Sequence, residues 1–514
     1  MKNNLKQGII DFLGTKHTGW FEMVLLLFFC GIVFVQIPFH EPWEDEIQAW
    51  LIARDCSIPQ IFYMMRYEGH FALWHLLLHP FAQMGLPLIT MNIISSLLTV
   101  CSVWFILFRS PFVRFVKLLL LASASLLYWY PVVARVYALV PPLLFMLAAS
   151  YAERKTHPWR IAVLLALLAN THAYMEGFVF SVFCILLYEL FLKEWPRLTS
   201  SERKKRLAAL MLVVLGAMIA FLQVVPAFAV TREASVRFHT PGEFFMRHIL
   251  IFQSFANYYM FAANPIVLFL FWASFLCFMF VLLRASVTVF IILVVGIFWE
   301  LFFAVSLYSL ASPQQCYLIQ MMMVFAAWCA LEENQYCQSK AWSKASKRRF
   351  TLMVPLCLFI AFSYRMTLLY IPFDLLRPFT NNQETAAYIR NSIPENASIY
   401  FFPGTLANST ISVYLPNHSL RIVDTLRPCT YLTLDKERLN TIQPEHLSAC
   451  LAASPEQRIY VITLLPYADA LESAAKAIDL SAICLFQSTE LGFPSLCGVP
   501  HVVFLVEPAD KQAL

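Results

Sequence analysis

The sequence predicts a polytopic α-helical membrane protein with about eleven membrane-spanning helices, followed by a small α/β domain. Three observations predict it. First, 60% of the 514 residues are hydrophobic and only 13% are charged, about half the charged share usual in soluble domains, and mean hydropathy is +0.65. Second, most apolar runs reach the roughly 17–25 residues that a helix needs to cross a bilayer. Third, the chain changes character after about residue 371, where short apolar strands and amphipathic helices alternate.

The first apolar run, near 21–38, follows Lys2, Lys6 and Lys16. It is long and no small-residue cleavage site follows it, so it reads as an uncleaved anchor. Further runs lie near 88–108, 113–131, 136–152, 161–176, 177–192, 207–229, 265–283, 286–306, 316–332 and 351–371. The segment His70–Met84 is apolar but short, and it carries His70, His75, His79 and Pro80. Basic residues settle its placement, because Lys and Arg collect in cytoplasmic loops. Arg109, Arg114, Lys117, Arg154, Lys155, Arg160, the cluster 193–206, Arg284 and the cluster 340–349 all fall inside only if 70–108 crosses once. His70–Met84 is therefore expected as a second surface helix. The first external loop then runs over 38–87, and a second large external loop over 230–264.

The same topology makes 1–371 the transmembrane part and puts 372–514 outside the cytoplasm. In that tail, helices are expected at 383–392, 444–453 and 467–477, and strands at 398–402, 458–463, 482–487 and 501–506. About 140 residues suffice for one small core. Most of the 13 cysteines lie in apolar segments and read as small buried hydrophobes. Cys429, Cys450, Cys484 and Cys497 lie in the tail, where one or two disulfides are compatible with an oxidising compartment. The net charge of +5 is mild and the basic residues sit between apolar runs. Nucleic acid is not an expected partner; membrane lipids are.

The candidate chemistry gathers in the external segments. Glu44, Asp45 and Glu46 place three carboxylates in a row just after the first span. Such a cluster stabilises the start of a helix through its dipole. It also offers a group that accepts a proton from an attacking hydroxyl, or orients it. The stretch that follows, 47–55, reads as an amphipathic helix lying on the membrane. Glu68 and His70 flank Gly69 in a turn that supplies a second polar wall. Arg135 and Tyr137 lie in the next external turn, and His172 and Tyr174 in the one after. Interface anchoring explains Tyr and Arg in such turns, but all of these face the compartment of Asp45. Arg237 and Arg247 in the second loop break the positive-inside trend; Arg232 does likewise. Arginine's fork of donors matches phosphate oxygens. Gln314 and Gln315 form a weaker pair in a further outer turn. No Cys/His spacing indicates a metal.

The pattern Trp43-Glu44-Asp45-Glu46-Ile47-Gln48-Ala49-Trp50, with Glu68-Gly69-His70-Phe71-Ala72-Leu73-Trp74, resembles the GT-C glycosyltransferases. The likeness is strongest to bacterial members related to protein O-mannosyltransferases and aminoarabinose transferases. Ala134 to Leu139 and Thr171 to Tyr174 add to it, and the shared layout covers about 1–260. The resemblance implies a GT-C fold and a sugar donor carried on a polyprenyl phosphate. The acceptor would be a glycan, lipid or protein hydroxyl, and the anomeric carbon would be inverted. Asp45 would be the catalytic acidic residue with Glu46 beside it. Glu44, Glu68, His70, Arg135, Tyr137, His172, Tyr174, Arg237 and Arg247 would line the substrate and phosphate sites. The chain departs from relatives at Phe71, where Pro is common. It departs again at the Arg135 turn, which lacks the second acid that relatives use; a divalent cation held by that route is disfavoured, and no other cofactor is implied. The setting implied is a bacterial plasma membrane. Two alternatives remain at this level: a secondary transporter or lipid flippase, although no internal repeat is visible, and a non-catalytic membrane scaffold.

Overall fold

The computed structural model describes residues 13–14, 19–68, 70–224, 240–261, 264–306, 312–337, 342–402, 409–428, 430–433, 442–491 and 499–509, with side chains omitted at 241, 244, 245, 248 and 334–350. Among them, eight helices are long and apolar enough to cross a membrane: Trp20–Phe39, Thr90–Phe108, Ala173–Arg197, Ser200–Gln223, Pro265–Ala285, Val287–Ser306, Pro313–Glu333 and Thr351–Leu376. This is an integral, multi-pass membrane protein.

The count of eleven spans is not reached by length alone. Two of the expected runs are the shorter apolar helices Val136–Tyr151 and Pro158–Ala169. The run near 113–131 breaks in the middle. Its helix Arg114–Leu121 ends at Ala122, and a π-helical turn covers Ser125–Trp129. The cause is local: the Ser123 hydroxyl donates back to the Leu120 carbonyl at 2.6 Å and pairs with Ser125 at 2.9 Å, and Pro131 follows. Hydroxyls that bond nearby backbone compete with a continuing helix, and proline forbids it.

The Pro313–Glu333 helix is buried along its whole apolar window and forms the centre of the bundle. Small residues let its neighbours close in. Gly177 lies against the Trp299 side chain, Gly216 against Ala166, and Gly296 against Met322 and Phe178, the close backbone approach favoured between membrane helices. The segment expected as a second large loop carries a helix, Pro241–Met260, started by Thr240, whose hydroxyl accepts from the Glu243 N–H.

Before the second span, three short helices stack: Glu44–Asp55, Ile58–Glu68 and Leu73–Gln83. The last is 11 residues long, too short to cross a bilayer. The first differs from the expected lipid-lying helix. All residues from Glu46 to Ala53 are buried, because the carboxyl-terminal domain covers the face turned away from the bundle. Gln48 Nε2 donates to the Leu432 carbonyl at 2.6 Å, and Gln48 Oε1 accepts from the Leu432 N–H at 3.1 Å.

That domain is built on a five-stranded sheet in the order β2-β1-β3-β5-β4, with β1 Ile399–Phe401, β2 Leu420–Ile422, β3 Ile459–Leu464, β4 Leu480–Gln487 and β5 His501–Pro508. Strand β1 is parallel to β2 and β3, whereas β5 is antiparallel to β3 and β4. Successive side chains feed opposite faces, as the strand period requires. Tyr400, Ile459 and Val461 pack on one side with Leu447 and Leu471; Ile399, Phe401, Tyr460 and Ile462 pack on the other with Ala386 and Ile389. Helices Asn382–Ser392, Pro444–Ala452 and Ala468–Lys476 cover the two faces. The sheet is thus the expected α/β arrangement, with short β2 added. Cys450 and Cys484 are free thiols and do not pair with each other; Cys429 and Cys497 lie outside the described residues.

Candidate active site

The site begins with the start of the Glu44–Asp55 helix. Trp43 is its extended N-cap, and Glu46 reaches back to accept the Trp43 N–H at 2.8 Å. This half of a capping box fixes the first turn. It also sends consecutive side chains apart. Asp45 points to a partly open edge, with 31% of its side chain exposed, whereas Glu46 is fully buried.

Asp45 Oδ2 meets the Arg135 guanidinium at 2.7 Å. Arg135 comes from the extended turn before Val136–Leu139, where its backbone is pinned: the preceding Ala134 N–H donates to Glu46 Oε1 at 2.6 Å. The guanidinium lies 5.0 Å over the Trp43 ring and 5.3 Å over the Tyr137 ring. It also faces His70 Nε2 at 3.5 Å. Aromatic faces on two sides hold a cation in place without neutralising it.

Behind Arg135 lies a histidine–tyrosine cluster. The rings of His70 and His172 are 5.1 Å apart, and that of His172 is 4.9 Å from Tyr137 and 4.5 Å from Tyr174. His172 Nδ1 accepts the Tyr174 N–H at 3.1 Å, which leaves Nε2 to donate to the Tyr137 oxygen at 3.2 Å. The Gln315 amide donates to that same oxygen at 3.0 Å. Desolvation, and then the Arg135 charge, push the His70 pKa down to about 3. Desolvation, His70 and Arg135 hold His172 well below the usual range. Both rings are neutral at ordinary pH, so the pocket carries the fixed charge of Arg135 with neutral donors and acceptors around it.

Glu46, expected beside Asp45 as a second reactive acid, has a different setting. Its two oxygens accept from Ala134 N–H, Asn92 Nδ2 (3.2 Å), Trp43 N–H and His40 Nε2 (3.0 Å). Fully buried and surrounded by donors, it organises backbone. Glu68 accepts from Gln48 at 2.8 Å and so supports the helix. Glu44 is half-buried in the same first turn. Arg247 is half-buried on the Pro241–Met260 helix and makes no contact with the Asp45–Arg135 cluster among the described residues. Arg237 lies outside the described residues, as do Arg232 and His239.

Sequence reading missed four contributors. Asn92 bonds both Glu46 and the Val132 carbonyl. His40 joins Glu46 to Asp374, and Gln48 joins the helix to the carboxyl-terminal domain. Asp374, an acid in the final span, carried the one usable signal, since acids in membrane helices are functional candidates by default. No group of three or more His, Cys, Asp or Glu side chains suited to a metal ion occurs among the described residues.

The fold is that of a multi-pass membrane protein carrying a small α/β domain, the arrangement the resemblance implied. Solved structures of ArnT from Cupriavidus metallidurans share it. The one bound to undecaprenyl phosphate aligns with a TM-score of 0.50 at 14% identity, over 94% of this chain and 97% of that chain. The apo form aligns with a TM-score of 0.51 at 14% identity, over 95% of this chain and 98% of that chain. No protein-family profile matches the sequence, and no curated protein matches it.

Proposed function

We propose that this protein is a glycosyltransferase that moves a sugar from a polyprenyl-phosphate carrier to an acceptor hydroxyl on the extracytoplasmic side of a bacterial plasma membrane. The observation that carries this reading is the Asp45–Arg135 pair: a partly exposed carboxylate held 2.7 Å from a buried arginine, in a chain with the fold of ArnT. The ArnT structure with undecaprenyl phosphate supports a lipid phosphate as the donor's leaving group.

The residues divide the work as follows. Asp45 takes the proton from the acceptor hydroxyl as its oxygen bonds to the anomeric carbon. The bond from that carbon to the carrier phosphate breaks, and the electron pair leaves with the phosphate. Attack opposite the leaving group inverts the anomeric centre. Arg135 receives the phosphate charge in a largely water-free setting, where a fixed cation is worth most. His70, neutral beside it, offers a hydrogen bond from Nδ1 without adding charge, and His172 holds Tyr137 and Tyr174 in place. In this reading residues 372–514 and the 38–87 segment lie outside the cytoplasm. The acceptor is a glycan, a lipid or a protein.

The test is sugar transfer from polyprenyl-phosphate donors in membranes, wild type against Asp45→Asn. Loss of general-base help predicts a fall in kcat of about 100-fold or more. Wild-type turnover by Asp45→Asn refutes the mechanism.

A further inference from the structure

The Asp45–Arg135 pair is framed by the buried Glu46 carboxylate, which bonds the Ala134 N–H beside Arg135, and this framework continues through one buried histidine. His40 Nε2 lies 3.0 Å from Glu46 Oε2, and its Nδ1 lies 2.8 Å from Asp374 Oδ2. The His40 side chain and that of Glu46 are both fully buried. Tyr128 donates its hydroxyl to the same Asp374 oxygen at 3.1 Å. Ionised carboxylates only accept, so a ring with an ionised carboxylate oxygen at each nitrogen donates from both.

Glu46 is adjacent to Asp45, and its other oxygen grips the N–H of Ala134, adjacent to Arg135. One carboxylate thereby sets the backbone on both sides of the ion pair. We propose that His40 is a positioning residue: as an imidazolium bridge between Glu46 and Asp374, it fixes the carboxylate that sets the distance from Asp45 to Arg135, and so makes the last membrane helix part of the site's framework. This rests on the function proposed above only for its kinetic consequence.

The charges support the bridge. Burial works against a protonated ring, but Asp374 and Glu46 outweigh it and raise the His40 pKa well above the ordinary value. The groups facing the ring are Glu46 from the first short helix, Asp374 from the last span and Tyr128 from the π-helical turn, with the Phe379 ring 5.5 Å away and Glu41 next along the chain. Removing one partner of such a buried set leaves a charge uncompensated, which is far more damaging than the intact set is stabilising.

Two measurements test it. In the first, kcat and KM for the donor are compared across about pH 5 to 8 in wild type, His40→Gln and Asp374→Asn. The expected result is a kcat lowered about 10- to 100-fold in His40→Gln, with donor KM within about twofold, because a misplacement of about 1 Å costs rate before binding. In Asp374→Asn the ring loses a carboxylate, so its proton is lost at lower pH. The ratio of variant to wild-type kcat should then rise as pH falls and drop as pH rises. A merely structural loss gives a ratio that is flat with pH, and that result, or wild-type kcat in His40→Gln, overturns the proposal. In the second, ¹⁵N-histidine spectra of the wild-type chain, with His40 assigned by its loss in His40→Gln, should show both ring nitrogens protonated at neutral pH. A neutral His40 overturns the bridge, and this readout does not depend on whether the chain transfers sugar.

Discussion

Asp45 and Arg135 form an ion pair whose two members differ in exposure: 31% of the aspartate side chain is open against 8% of the arginine's. Under the proposed function, this arrangement gives the open aspartate to the acceptor hydroxyl and the buried arginine to the departing anion. It also depends on guanidinium shape, because Arg135 bonds Asp45 and His70 while stacking on Trp43 and Tyr137. Lysine keeps the charge but lacks the planar fork. Arg135→Lys is therefore expected to lose at least about 10-fold in kcat/KM for a polyprenyl-phosphate donor. Steady-state kinetics in detergent or nanodiscs check it; full activity in Arg135→Lys would refute a fork-dependent role.

Much of this was legible in the chain, for a physical reason. Spans and strands follow from local periodicity, so the long apolar runs and the expected strands at 398–402, 458–463, 482–487 and 501–506 found their elements. Asp45, Arg135, His70, Tyr137, His172 and Tyr174 were legible because short polar turns between spans have few other uses, and the structure brings them together. The supporting residues were hidden because their partners are far away in sequence. Nothing local to Gln48 indicates Leu432, and nothing near Glu46 indicates Asp374. The run at 113–131 misled because hydropathy does not register the Ser123 and Ser125 hydroxyls that break its helix.

His75 is buried, and its pKa falls to about 3 from an ordinary 6.5, first through desolvation and then through its neighbour His70. The unfolded chain therefore binds a proton that the folded chain refuses. The sign follows: stability is fully present above about pH 6.5 and is lost as pH falls toward 3. His70 adds to the same trend. His40, with its raised pKa, acts oppositely: its contribution is present below the ordinary value and lost as pH rises through its folded pKa. Melting temperature against pH should decline on the acid side in wild type and flatten there in His75→Leu. An unchanged slope in that variant would remove His75 from the account.

Gly177 marks a close approach of the Glu176–Tyr188 and Val287–Ser306 helices. A Cβ added there would fall within the van der Waals shell of the Trp299 Cβ and Cγ. Trp299 cannot turn away freely, because its indole N–H donates to the Ala173 carbonyl at 2.8 Å. Gly177→Ala should therefore destabilise by about 1–3 kcal/mol, the range for overpacking. Because Ala173 follows His172, it should also shift the histidine cluster and lower turnover. Thermal melts and activity measured side by side check both effects. Gly31→Ala, where nothing lies within 4 Å, is the matched control and should leave melting unchanged.

The carboxyl-terminal domain is held to the site by a side chain acting as a stretch of backbone. Gln48 exchanges two hydrogen bonds with Leu432 and gives its remaining amide proton to Glu68. Nearby, Glu41 accepts the Gln383 N–H at 2.8 Å, so both ends of this contact pair the first short helix region with residues beyond 380. Gln48→Leu would leave the N–H and carbonyl of Leu432 buried without partners, at a cost of about 1–3 kcal/mol for each unsatisfied group. Gln48→Glu keeps the acceptor, loses both donors, and sets a second carboxylate against Glu68. Both variants should speed hydrogen exchange in residues 382–433 and in the Glu44–Asp55 helix together, because each face shields the other. Faster exchange in the carboxyl-terminal domain alone, with the helix unchanged, would show that Gln48 anchors only one side and that Asp45 is positioned without it.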